Sequence, residues 1–488
     1  MKRSRRDRGI AMKSRLRRLL PVFPLLLALL PACTRDSGMG PVQRLNEVEG
    51  GAASFSWAYY TSIVAAGDRA AVAWMNQNGK MNRNVVVRTT GDRGQTWSAE
   101  TPLNIGDYAN TVSVVPTLAI LPGDGNMLAL WQARRNEAGQ KFVLTRKSAD
   151  FGSTWGEPTV LNTKLQAFLP VLAQRGDDLV VAWTDERNVL RDIYSNRSRD
   201  AGTKWLPRDR RVSTQPKNES GGPTAAIGAG EHAYVVWEQR PHKSDDSGPH
   251  LRFSTSPDMG ASWTAPAEID TGESKVSPIW PQLVWSEGRL TLAWSGGITG
   301  EGEQSWLWLS SSTDDGKTWA PPTQVYNGPT QPFFHLRAVG PQVYFAWHGG
   351  TAEAAGGIYW NASDDGGKTW RHAWDAAERL DSGAKGSAMH PRIGFQGDVV
   401  GVTWHDGYER VLVSASRDRG RTWPLSNATV TEREDPSDQL RNPQVAVSEN
   451  AAYVLWERWP DKKKFIKTFA DVDKTLPKDA YVRRVDLP

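Results

Sequence analysis

Eight short apolar runs, each closing on a tryptophan, recur along the chain at intervals of 52 to 57 residues: AVAW at Trp74, LALW at Trp131, VVAW at Trp183, YVVW at Trp237, TLAW at Trp294, YFAW at Trp347, GVTW at Trp404 and YVLW at Trp456. Runs this short, rich in β-branched and aromatic residues, read as buried strands rather than helices. A period of this length marks one supersecondary unit that cannot bury both of its own faces, so copies must stack on one another. The 488 residues therefore describe one repeat array, not the several unrelated domains that length alone suggests. The repeat also explains the 23 Trp, well above ordinary usage.

A second motif, Ser/Thr-x-Asp-x-Gly-x-x-Trp, follows seven of the runs, with its carboxylate at Asp92, Asp150, Asp200, Asp258, Asp314, Asp365 and Asp418. After Trp456 only the string FADVDKTL, residues 469 to 476, stands where an eighth copy is expected. The chemistry suits a tight hairpin turn: the carboxylate accepts hydrogen bonds from turn amides and Gly takes positive φ. The closing Trp supplies apolar area to hold the turn down. These seven aspartates are read as structural. Each period also holds a short strand ahead of the Trp run, such as PVLAQ at 170 to 174 or PRIGF at 391 to 395. With the strands entering and leaving the Asp motif, one repeat holds four antiparallel strands.

The motif resembles the Asp-box, or BNR repeat, of the sialidase superfamily, and the resemblance covers residues 52 to 488. It implies an all-β fold, a β-propeller of four-stranded antiparallel blades. Eight Trp runs favour eight blades, with seven or six as alternatives if a terminal repeat forms an accessory hairpin, whereas sialidases have six. Two segments compete to complete the last blade. Residues 41 to 46, PVQRLN, resemble the outgoing strand at 158 to 162, PTVLN, and residues 481 to 487 are the rival.

The formal charge of +5 and pI near 9.1 do not point to nucleic acid. Nine Lys/Arg and one Asp fall in the first 32 residues, and the remainder carries a net charge of about −3, with no basic stripe interleaved with aromatics. Those 32 residues read as an export signal: a basic stretch, then apolar residues 19 to 30, too few to span a bilayer as a helix. LPAC at 30 to 33 resembles the lipobox of bacterial lipoproteins, which implies lipid attachment at Cys33, the only cysteine. Residues 33 to 51 read as a flexible tether. The expectation is a monomer exported to the cell envelope and held to the membrane by its lipid alone.

Strand polarity places a site without coordinates. The Asp motifs lie between third and fourth strands, so they share one face of the ring. The starts of first strands and the residues after each Trp share the other, around the axis, where a ligand meets several blades. The polar residues expected there include Asp185, Arg187, Glu238, Arg240, His348, His405, Asp406, Tyr408, Glu457, His335, His390, Arg392 and Arg441. No metal-ligand spacing is present, and neither a metal nor another cofactor is expected.

The resemblance to sialidases implies three roles. Arg187, Arg240, Arg392 and Arg441 would clamp a substrate carboxylate, Tyr408 with Glu238 or Glu457 would form the nucleophile pair, and Asp185 or Asp406 would be the acid. An Arg-Ile-Pro string near the amino terminus, which the family carries, is absent. The leading reading is a propeller that binds a glycan or another anionic or polar ligand through the axial ring, with His390 and His405 beside the arginines. An exo-α-sialidase or related glycoside hydrolase is the alternative, and a noncatalytic assembly scaffold a further one.

Overall fold

Side chains in a strand alternate between the two faces of its sheet, and in the Trp runs both faces are apolar, so each run has to be covered from both sides. The computed structural model describes residues 38–46, 61–78, 82–109, 111–135, 139–214, 218–241, 249–272, 277–297, 305–328, 332–349, 356–381, 388–431, 438–459 and 479–488. The proposed signal segment, Cys33, and tether residues 33–37 and 47–51 lie outside the described residues. Each Trp run is the second strand of a four-stranded antiparallel sheet. The first strands of blades 1 to 8 are Thr61–Ala66, Val112–Ile120, Ala167–Arg175, Asn218–Ile227, Ser277–Ser286, Phe334–Val339, Ala388–Gln396 and Gln439–Val447. They pack side by side in that order, and that of blade 8 packs on that of blade 1. The protein is an all-β, eight-bladed propeller; among the described residues the only helical pieces are two single 3-10 turns, Gly106–Tyr108 and Trp374–Ala376.

The eight run tryptophans are at most 2% exposed. Each packs against the preceding blade: Trp183 against Leu130, Val143 and Leu161, Trp404 against Ala346, Ile358 and Trp360. Trp74 of blade 1 packs in the same way on Leu455 and Val482 of blade 8, so the closing interface has the chemistry of the internal ones. Burying one such side chain removes about 200 Å² from water, worth on the order of 5 kcal/mol.

The Asp motifs are closed turns. In the copy at Ser312, Asp314 Oδ1 accepts from Ser312 Oγ at 2.8 Å and from the Thr318 N–H at 2.9 Å, and Oδ2 accepts from Thr318 Oγ1 at 2.6 Å. The bonds from the Thr318 hydroxyl and amide hold this carboxyl down at about 2. Asp315 and Gly316 are both left-handed, with φ of 59° and 81°. At Gly316 the constraint is also spatial, since an added Cβ would stand 2.0 Å from Phe253 Cε1. In six of the seven boxes the residue before the Gly donates its N–H to the turn between the first two strands of its blade, as Arg93 does to Asp68 and Ala201 to Asp177, and strand polarity puts the seventh at the same end. All seven boxes thus sit on the face of those turns. The box tryptophans are half-buried rather than enclosed and reach to the preceding blade, Trp319 edge-on to Phe253 and Trp423 edge-on to Trp360.

The two rivals for the last blade both belong to it. Asp479–Asp486 is its third strand and Gln43–Arg44 its fourth, so this part of the expected tether at 33–51 is blade and the propeller begins ahead of residue 52. In blade 2, Leu161 donates its N–H to the Val143 carbonyl, and Asn162 Oδ1 accepts the Val143 N–H at 2.8 Å. Leu45 and Asn46 make the same two-bond clip on Ala480. That shared clip is the physical content of the likeness between PVQRLN and PTVLN. The string at 469 to 476 lies outside the described residues and precedes the third strand instead of following it, so it does not hold the place of an eighth box.

Two truncations separate the two kinds of Trp. Trp404→Ala empties an enclosed site and should cost about 3 to 5 kcal/mol. Trp319→Ala should cost about 2 kcal/mol, because part of its ring is already in water. Equal losses in denaturant unfolding would contradict the assignment.

Candidate functional site

The axial mouth is built by a bulge repeated in six blades. Val115, Leu169, Gly222, Trp280, His390 and Asn442 each precede a proline, and all six are left-handed, with φ between 50° and 57°. Each lies at a register shift in its first strand. Left-handed backbone is uncommon for residues with a Cβ and costs on the order of 1 to 3 kcal/mol. Such bulges re-aim a side chain, here at the end of the strand opposite the Asp-boxes. In two of them the residue after the run Trp of the preceding blade supports the bulge. Gln132 Oε1 accepts the N–H of Leu169 in the next blade, and Glu238 Oε1 accepts that of Trp280 at 2.8 Å.

A chain of ring and charge contacts follows from blade 4 to blade 8. Trp280 stacks on Phe333 with centroids 5.5 Å apart, and Phe333 lies 3.9 Å from His390. His390 Nδ1 and His405 Nε2 share a hydrogen bond of 2.7 Å. His405 stacks on Tyr408 at 4.4 Å, and the Arg441 guanidinium lies over both Tyr408 and Trp459. Asn442 and Trp459 donate to Glu457 Oε2.

Beneath this mouth stands a set of cations. Arg337 sits four residues below Phe333, about 13 Å further along the strand direction, and is reached by solvent although protein surrounds it. That enclosure, with the charge of Arg392 beside it, lowers its guanidinium to about 10. His335 Nδ1 accepts the Ile393 N–H at 2.8 Å, and burial, with Arg337 and Arg392 near, keeps its ring neutral. Burial, then the charges of Arg441 and His348, push His405 down to about 3. Burial raises Glu238 above the usual carboxylate range, against the N–H of Trp280 and the charge of Arg240.

A family model described as BNR repeat-like domain matches residues 56–272 and again 231–451. The chain belongs to this family. Solved structures similar to this BNR propeller include an α-L-arabinanase of Penicillium chrysogenum, 16% identical over 64% of this chain and 94% of that one, with a TM-score of 0.41. Another is a polysaccharide lyase of family PL25, an ulvan lyase, 10% identical over 79% and 96%, with a TM-score of 0.49. The sialidase of Trypanosoma rangeli is 12% identical over 67% and 56%, with a TM-score of 0.34. No curated protein matches the sequence.

The BNR propeller divides the expected site residues by strand alternation. Tyr408, His390, His405, Arg392 and Arg441 gather in blades 7 and 8, and Glu238 with Arg240 stands at the other end of the arc. Asp185 does not join them. It follows Trp183 by two residues, shares its side of the sheet and accepts from Trp183 Nε1 at 3.0 Å. Arg187 ties Asp185 to Asp209, which in turn holds Thr163 of the preceding blade. Although burial opposes it, these carboxylates keep Arg187 above its ordinary range. The pair is an interblade clasp. Asp406 likewise takes the Trp404 side and pairs with Arg410. Tyr408 stands in blade 7 and Glu238 in blade 4, with two blades between them, whereas Glu457, the other partner expected for Tyr408, lies in the adjacent blade 8 and accepts from Asn442 and Trp459. Reading the sequence for polar residues missed Trp280, Phe333 and Arg337. The signal for the bulges was present in the Xaa-Pro steps that recur 13 to 15 residues ahead of six run tryptophans.

The lowered histidine fixes a pH dependence. Between its ordinary value of 6.5 and about 3, His405 takes a proton only when unfolded, so it withdraws stability as pH falls, by about 1.4 kcal/mol per pH unit. Lowering pH from 6.5 to 5 should destabilise the wild type more than His405→Gln; parallel stability curves would contradict a buried neutral ring.

Proposed function

We propose that this BNR propeller is an envelope-anchored binding protein that takes an anionic glycan at its axial mouth. The observation that carries the reading is Arg337 beside Arg392 of the next blade, with Arg392 and Arg441 both acting on the neutral His390. The charge felt by Arg337 is that of another cation, an arrangement that costs stability and is offset when an anion enters. Planar guanidinium groups suit carboxylate or sulfate oxygens because they donate two parallel N–H bonds. The mouth is apolar at Trp280 and Phe333 and carries guanidinium groups further in, a combination that suits a polar ligand with an apolar face.

Glycoside hydrolysis is the second reading, and Glu238 favours it. A carboxyl whose proton affinity is raised by burial is what a general acid requires. The lipid anchor rests on the LPAC string at Cys33. One short chain holds a protein to a bilayer only weakly, so the diacyl modification that the lipobox implies is needed.

On an array of acidic and neutral glycans, the mature protein should be retained by acidic ones. Arg337→Gln should weaken that binding by about 2 kcal/mol, roughly thirtyfold. Retention of neutral glycans only, or of none, would contradict the reading. A fluorogenic sialoside and a panel of other aryl glycosides test hydrolysis, which Glu238→Gln should abolish if it occurs. In cells fed a fatty-acid analogue, the wild type should be labelled and Cys33→Ser should not; equal labelling would contradict the anchor.

A further inference from the structure

We infer that Trp280 and Phe333 form a stacking platform for a sugar ring beside the cationic throat, so that the ligand is an oligosaccharide and not a single acidic sugar. This rests on the reading of the mouth as an anionic-glycan site and goes further by placing a second ring and giving the ligand a direction. Trp280 is 38% exposed, one of four large hydrophobic side chains so placed among the described residues. Solvent exposure of an indole is ordinary by itself. Here it is combined with left-handed backbone at φ 55°, the Pro281 step, and an N–H held by the buried Glu238 carboxyl. The chain thus spends local strain to keep this ring in the mouth and not in a blade interface.

Phe333 stacks nearly parallel on Trp280, at an angle of 19°, and is itself backed by His390, so that it braces the exposed indole from one side. The C–H face of a pyranose packs on such a surface by burying apolar area against the negative face of the ring, leaving its hydroxyls at the edge. Glu238 and the largely exposed Arg240 stand at that edge. The neighbouring bulge position carries no side chain: a Cβ on Gly222 would come within 3.2 Å of Glu238 Oε1, so Gly222 leaves the approach to the carboxyl open. Beyond it, Leu169 is 41% exposed in the equivalent position of blade 3. An acidic residue seated over Arg337 and Arg392 in blades 6 and 7 would therefore extend its chain across Phe333 and Trp280 towards blade 4.

The test uses the full mature chain, Trp280→Gly, Trp280→Phe and Arg337→Gln on one array of acidic oligosaccharides of increasing length. Glycine takes the left-handed backbone without strain, so Trp280→Gly removes the ring and keeps the bulge, which thermal melting verifies. Wild-type affinity should rise from the monosaccharide to longer chains. Trp280→Gly should lose roughly tenfold or more on longer chains and little on the monosaccharide, Trp280→Phe should recover most of the loss, and Arg337→Gln should weaken all lengths. Equal retention of every length by Trp280→Gly and wild type overturns the platform while leaving the anion site standing. Failure of the wild type to bind any acidic glycan overturns the anionic-glycan reading and the platform with it.

Discussion

A strand with tryptophan on one face and aliphatic side chains on the other cannot rest in a single sheet, and everything else in this molecule follows from having to cover both sides. Each run Trp is buried by the blade before it, so a linear stack would leave one Trp uncovered at its first blade and one aliphatic face bare at its last. Closing the ring removes both exposures at once. The closing contact, Trp74 on Leu455 and Val482, is where a repeat array becomes a propeller with an axis.

Closure also explains the mismatch between eight Trp runs and seven boxes. The Asp-box is the covalent turn between a third and a fourth strand. In blade 8 those strands come from opposite ends of the folded segment, Asp479–Asp486 and Gln43–Arg44, so there is no turn to stabilise. The clip that holds fourth strands to third strands is kept, however, in the Asn46 and Leu45 bonds to Ala480. Gln43 then donates to the Gly94 carbonyl in the box of blade 1, tying the seam to the next blade.

The fold was legible because its determinants are local and repeated: a four-residue apolar run, a turn motif and a fixed spacing. That the Asp-boxes lie on the face opposite the starts of the first strands was legible for the same reason, since polarity follows from counting strands. What counting could not supply was the alternation at the ends of the Trp strands. Asp185 and Glu238 both follow a run Trp closely, yet Asp185 is two residues on and turns to the Trp side, whereas Glu238 is one residue on and faces the mouth. The aromatic rim was hidden for a different reason. A tryptophan in a chain with 23 of them reads as core, and only the backbone conformation before Pro281 shows that Trp280 is directed outward. Arg337 gave no signal at all, because its importance lies in standing next to Arg392 of another blade.

The central claim is that ligand enters on the axial face and that the Asp-boxes only hold the blades together. Hydrogen exchange of the mature protein with and without a tetragalacturonate, an acidic oligosaccharide, tests it most directly. Slower exchange should be confined to the mouth ends of first strands in blades 5 to 8, around Trp280, His335, Arg392 and Arg441, with the box segments unchanged. Protection centred on the box turns at Asp92, Asp314 or Asp418, or no protection at the mouth, would contradict the account.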